Sequence, residues 1–195
     1  MEKLIDANTA VMRVGPNQLV ELLLLMLNPD IQKITKPVAK GLPAGPGGAI
    51  GRVVFSSNDA VEWASRGEKV ILVREETSPE DVDGMHKSQA ILTTKGGMTS
   101  HAALVARGWG KCCIVGCNDI QINSETKSFR ANDGTFIKEG DWLSLDGTKG
   151  LVYLGSMELV DVDLDKNQSY KNLMKLVDKT KVIGVRTNAE TPGDA

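Results

Sequence analysis

Neither sign of charge predominates in these 195 residues: 23 Lys and Arg stand against 25 Asp and Glu, a formal net charge of −2. The two signs are interspersed, so nothing marks a nucleic-acid or anionic-membrane surface. Long apolar runs are missing as well. The longest, LVELLLLML at 19–27, is about half of what a bilayer span needs and lies too far inside for a signal peptide. A soluble protein is expected, with no nucleic-acid and no membrane partner. Cysteine is scarce and confined to Cys112, Cys113 and Cys117. An odd number of thiols packed into six residues excludes a disulfide framework and points to the cytoplasm or another reducing compartment. Zinc would need four ligands, and Cys112 and Cys113 point to opposite sides of a strand, so they read as buried structural thiols and no metal site is expected. Histidine is scarcer still: His86 and His101 are the only two.

A chain of this length buries one core of about 110–150 residues plus appendages. PNQLVELLLLML at 16–27 has apolar residues at helical spacing behind a proline, and NPD at 28–30 reads as its stop. TKPVAKGLPAGPGGAIG at 35–51 is too rich in Pro and Gly for a helix and too broken for a central strand, so it reads as a linker turning into a domain edge. An alternation follows: strand 51–55, helix 58–66, strand 69–73, helix 79–87, strand 90–94, then a glycine loop and another helix. Ser78, Pro79 and Asp81 form a helix-start signature. CCIVG at 112–116 reads as a strand, and the short β-prone runs of 120–154 as a β-rich cap on the α/β unit. An acidic linker and a helix near 168–178 come next, and KVIGVRTNAETPGDA begins a fresh strand. The expectation is a domain from a longer polypeptide with linkers on both sides.

The scarce histidine lies in TKGGMTSHAALVARGWGKCC, residues 94–113. Gly96 and Gly97 permit close backbone approach or positive φ. Thr99 or Ser100 can cap the helix, which puts His101 in its first turn. The positive end of the helix dipole disfavours a further positive charge there and stabilises an anion attached to the ring, as suits a phosphoryl-accepting nucleophile. Ala102, Ala103, Val105 and Ala106 are small enough to pack closely on a sheet, and Arg107 suits the C-terminal end. The same residues also read as a capped turn with a surface histidine. His86, beside Lys87 at a helix end, reads as a surface histidine.

GGMTSHAALVARG closely resembles the phosphohistidine signature of the phosphoenolpyruvate-utilising enzymes. GLPAGPGGAIGRVVF, VILVREETSPEDVDGMH, EGDWLSLDGTKG and NAETPGDA follow the family's order, and GWGKCCIVGC resembles the branch that makes phosphoenolpyruvate from pyruvate, ATP and inorganic phosphate. The resemblance implies an α/β fold, a swivelling β/β/α phosphohistidine domain at 41–154 with helical linker segments at both ends. It implies an N-terminal hinge segment at 1–40, a linker at 155–180 and the start of a TIM barrel at 181–195. His101 would be the phosphorylated nucleophile, with Gly96, Gly97, Thr99 and Ser100 as its loop and Thr99 a candidate regulatory phosphosite.

The implied partners are an N-terminal ATP-grasp region and a C-terminal TIM barrel of the same chain, in a homodimeric parent that uses ATP, phosphate and pyruvate. Mg²⁺ would be bound by those other domains, with no cofactor or metal ligand in this chain. The carrier alone is not expected to turn over. Its rivals are a phosphohistidine domain of another family member, such as phosphoenolpyruvate synthase, the first enzyme of the sugar phosphotransferase system or a rifampin phosphotransferase, and a non-catalytic interaction module. A serine hydrolase on Ser100 and His101 is disfavoured, because neighbours at a helix start cannot readily face each other.

Overall fold

The computed structural model describes residues 4–161, 164 and 167–184. Contacts divide the chain into two units, Leu23–Val162 and a second made of Met1–Leu22 with Asp163–Ala195. In the latter, α1 (Ala7–Met12) starts where the Asp6 carboxylate accepts from the Thr9 N–H at 2.7 Å, and α2 (Pro16–Glu21) follows.

The helix expected over 16–27 stops at Glu21. Met26–Leu27 is instead a strand, β1, paired antiparallel with Leu159–Val160. Tertiary contact overrides the helical spacing here: Leu27 is buried and the Leu25 carbonyl accepts from the Gly48 N–H. NPD starts a helix where a stop is expected. The Asn28 side chain accepts from the Asp30 N–H at 3.0 Å, and Pro29 opens α3 (Pro29–Ile34).

The stretch at 35–51, expected as a linker turning into a domain edge, is already strand from Ala39, as β2 (Ala39–Lys40), β3 (Leu42–Gly45) and the start of β4 (Gly48–Val54). The alternation then runs as read: α4 (Ser57–Ser65), β5 (Val70–Arg74), a 3₁₀ turn at Pro79–Asp81 entering α5 (Val82–Lys87), β6 (Ala90–Thr93), α6 (His101–Gly108) and β7 (Cys112–Val115). The Asp81 carboxylate accepts from the Ser78 N–H at 2.9 Å, as the signature at that helix start predicts. Beyond it, β8 (Ile120–Asn123), β9 (Ser128–Ala131) and β10 (Phe136–Lys138) make a small antiparallel sheet. The next hairpin, β11 (Trp142–Asp146) and β12 (Leu151–Leu154), is no cap: β11 pairs with β4 inside the main sheet. After β13 (Leu159–Val160), α7 (Gln168–Thr180) returns to the other unit and touches α1. Of the expected barrel strand, residues 181–184 lack regular structure and 185–195 lie outside the described residues.

The main sheet has the order β2-β12-β11-β4-β5-β6-β7-β3. Its two ends, β2 and β3, are separated in sequence by Gly41 alone. Residues 39–45 therefore border β12 on one side and β7 on the other, and the sheet closes on itself. The Pro- and Gly-rich segment is the seam of a barrel, and its composition has a steric reason. A Cβ at Gly45 would run into the Lys111 carbonyl. Closure sorts the side chains by the period-two alternation of strands. Val53, Ile71, Val73, Leu92, Ile114 and Leu143 fill the interior, while Val54, Leu72, Ile91 and Val115 face outward under α4, α5 and α6. Cys112 and Cys113 fall on opposite sides, inside and outside respectively.

Candidate functional site

Strands β4 to β7 run parallel, so their C-terminal ends open at one rim, and in parallel sheets such rims are where ligands bind. The β5 and β6 backbones stay paired past their ends, with Thr94 N–H donating to the Arg74 carbonyl at 3.1 Å and Lys95 N–H to the Glu75 carbonyl at 2.9 Å. This pairing sets the loop after β5, which carries Glu76 and Thr77, beside the loop that leads to α6.

His101 is the first residue of α6, half-buried at the helix mouth. The Ser100 side chain caps the helix, accepting from the Ala103 N–H at 3.4 Å. Gly96 holds the left-handed conformation at φ +90°, and a Cβ there would press on Ser100 at 2.8 Å. Gly97 faces open space. Thr99 is exposed on the turn that the Ser100 N–H closes onto the Gly97 carbonyl, two residues from His101. Arg107, expected to serve the helix end, also turns back: its guanidinium donates to the Ala103 carbonyl at 3.2 Å and to the Met98 carbonyl, tying the loop to the helix. Gly116 packs its backbone under the loop, where a Cβ would meet the Gly96 carbonyl at 2.7 Å.

Thr77 Oγ1 lies 3.0 Å from His101 Nδ1. When Nδ1–H donates to that hydroxyl, Nε2 keeps its lone pair and the ring is fixed about its bond to Cβ. The ring borders a polar cleft of about 310 Å³ lined by Glu76, Thr77, Thr93, Lys95, Ser100 and His101, among others. Lys95 donates to Glu75 at 2.7 Å. Each lies shifted toward its charged form, chiefly through that hydrogen bond: Glu75 below its ordinary value, Lys95 above. Chemically this is an imidazole anchored through Nδ1 at the edge of a cleft lined by hydroxyls, the Glu76 carboxylate and an ammonium paired with Glu75, which leaves Nε2 as the nitrogen able to act as a nucleophile.

Thus the structure gathers Gly96, Ser100 and His101 in one loop and leaves Thr99 on its outer surface. Thr77, Lys95 and Gly116 are additions that the sequence reading lacks. The placement of Thr77 at the C-terminal end of a parallel strand was the available signal. His86 lies elsewhere, in the last turn of α5, its ring edge-on to Trp109 at 5.2 Å. The cysteines are buried, and burial pushes the Cys113 and Cys117 thiols up to about 12, so neither is a reactive nucleophile. Among the described residues no three His, Cys, Asp or Glu side chains cluster as metal ligands, and no helix is long and apolar enough to cross a membrane.

Residues 67–150 match the family model of the PEP-utilising enzyme, mobile domain. A chloroplastic pyruvate, phosphate dikinase of Flaveria pringlei is 50% identical over 195 residues, all of this chain and 20% of the relative. Pyruvate, phosphate dikinase of Clostridium symbiosum is 46% identical over 193 residues, 99% of this chain and 22% of the relative. The chain thus spans about a fifth of the length of these curated relatives. Among solved structures, the N-terminal domain of Enzyme 1 – Nitrogen aligns at a TM-score of 0.39 and 13% identity, covering 70% of this chain and 99% of that one.

Proposed function

Residues 67–150 of this chain are a mobile domain of the phosphoenolpyruvate-utilising enzymes, and on that premise we propose that His101 is the phosphoryl carrier of a pyruvate, phosphate dikinase. One observation supports this above the rest: the His101 ring is held through Nδ1 by Thr77 at 3.0 Å, at the mouth of a helix and a polar cleft. Nε2 is then the nucleophile. It takes a pyrophosphoryl group from ATP, releasing AMP. The terminal phosphoryl passes to inorganic phosphate, giving pyrophosphate, and the one left on His101 passes to pyruvate enolate, giving phosphoenolpyruvate. All steps are reversible, because an N–P bond retains high transfer potential.

The nucleotide and pyruvate sites belong to other domains of the parent, an ATP-grasp region and a TIM barrel. Mg²⁺ neutralises phosphate oxygens at those sites. Among the described residues no three His, Cys, Asp or Glu side chains cluster as ligands, and the ion's ligands are assigned to those other domains. The parent is a homodimer of a reducing compartment. The swivelling domain takes in Leu23–Val162, because β1, β2 and β13 pair within it, the flanking residues serve as its linkers, and 181–195 lead into the barrel. Gly96, Gly97, Thr99 and Ser100 shape the loop. A phosphate on exposed Thr99 would repel incoming phosphoryl groups and switch the carrier off.

Alone, the chain lacks the groups that orient ATP and pyruvate and does not turn over. Mixed with a separately produced nucleotide-binding region, ATP, Mg²⁺ and phosphate, it acquires an acid-labile, base-stable label on His101. Transfer of the terminal phosphoryl from labelled His101 to added phosphate, giving pyrophosphate, identifies the dikinase. Its release to water as phosphate points to another branch of the family, and a label on Ser100 or none at all removes the carrier role.

A further inference from the structure

We propose that the Lys95–Glu75 ion pair is a charge switch: Glu75 holds Lys95 while His101 is empty, and Lys95 turns to the phosphoryl oxygens once His101 is loaded. This rests on the phosphohistidine reading of His101. The backbone of Lys95 is clamped. Its N–H donates to the Glu75 carbonyl at 2.9 Å, and its own carbonyl accepts from Thr93 Oγ1 at 2.7 Å and the Gly116 N–H at 3.4 Å. Only its four-carbon arm is free to move. The salt bridge at its tip joins two exposed side chains, a kind of pair that holds weakly and breaks readily.

The charge count in the cleft gives the switch its direction. Among the described residues that line it, Lys95 is the one Lys or Arg, and Glu76 lines it too. Glu76 also acts on Lys95 through its charge. The empty site therefore sets one ammonium against two carboxylates, Glu75 and Glu76. A phosphoryl group on Nε2 brings up to two further negative charges into about 310 Å³. Its oxygens together carry more charge than the Glu75 carboxylate, so the ammonium is drawn to them. Lys95 is thereby a charge-stabilising residue for the loaded state, and Glu75 parks it between cycles.

Potassium phosphoramidate tests this without any other domain. The Nε2 lone pair attacks phosphorus, the donor P–N bond breaks and ammonia leaves with the donor's own protons. The Nδ1 proton stays on the ring, beside Thr77. Lys95→Met should lower the steady-state label about fivefold to tenfold, and Lys95→Arg should restore it. Glu75→Gln, which frees the ammonium, should label at least as fast as the original chain. The Lys95 Nζ resonance should move when His101 is phosphorylated.

Equal labelling of Lys95→Met with an unmoved Nζ resonance overturns the proposal, as does a Glu75→Gln chain that labels as poorly as Lys95→Met. Far-UV circular dichroism checks that the variants fold. If the original chain takes phosphoryl from phosphoramidate with this Lys95 dependence but never from the nucleotide system, the switch stands and the dikinase reading falls. Normal nucleotide labelling that is indifferent to Lys95 does the reverse.

Discussion

The two histidines sit at opposite ends of β6, each beside a cleft, of about 310 Å³ at His101 and about 500 Å³ at His86, but the two rings are held differently. His101 follows the C-terminal end of the strand. Its Nδ1 meets a hydroxyl and its ring borders a polar cleft. His86 precedes the N-terminal end. Its ring meets the edge of Trp109, and the neighbouring carbonyls of Met85, His86 and Ser88 all accept from Lys111 Nζ within 2.5–2.9 Å. Each end also has a lysine, used differently. Lys95 is exposed at the tip of a movable arm, whereas Lys111 is half-buried, pushed down to about 8 by that burial, and bolts the end of α5 to the start of β7. One rim of the barrel holds a histidine through a hydroxyl beside a cleft, and at the other a lysine ties the carbonyls together.

The sharpest way to break this comparison is to exchange the fates of the two histidines. His101→Asn should abolish the acid-labile label, whereas His86→Asn should keep it. A label that survives in the first or disappears in the second would dissolve the distinction. Next in size is the anchor of the ring. Thr77→Val removes the hydrogen bond to Nδ1 but keeps the shape, and loss of ring alignment should slow labelling about tenfold to a hundredfold with little change in unfolding midpoint. Thr77→Ser, which retains the hydroxyl, should recover most of the rate.

At the other rim the effect should appear in stability and not in chemistry. Lys111→Met strands the carbonyls at the end of α5 and should cost about 1–3 kcal/mol, read from urea denaturation, while labelling of the folded protein persists. The smallest effect concerns acid. Asp59, in the first turn of α4 at the His101 rim, is pushed up by burial but pulled further down by the Ser56 hydroxyl and Lys127, so its folded value lies below 3.8. Its contribution is therefore full above about 3.8 and is lost as pH falls through the lower folded value. Asp59→Asn should remove about 1 kcal/mol or less at pH 6, and should flatten the acid limb of a stability–pH curve.

How far the fold was legible from the chain varies by segment. The run from residue 51 to 116 is readable because each element there declares itself within a few residues: apolar runs, the cap at Ser78 with Pro79 and Asp81, a cap at Thr99 or Ser100. The end of the Leu-rich run at 19–27 is not legible in the sequence, because helical spacing and a short buried strand cannot be told apart without the partner at 159–160, some 130 residues away. The Pro- and Gly-rich stretch at 35–51 is legible only as a linker meeting a domain edge, for a related reason. Its glycines look like a linker locally, yet Gly45 is required by the close approach of the Lys111 carbonyl across the seam.

The candidate site divides along the same line. By itself the sequence determined the loop, the helix that begins at His101 and the small residues that let it pack, since all of these are set by local sterics and by backbone groups that need caps. Tertiary structure alone decided that Thr77 should meet His101 and that Lys95 should face the cleft with Glu75 at its tip. Thr77 and His101 are 24 residues apart on different strand-to-helix loops. Only the parallel pairing of β5 with β6, and the closing of the sheet that buries them both, brings the two loops to one rim.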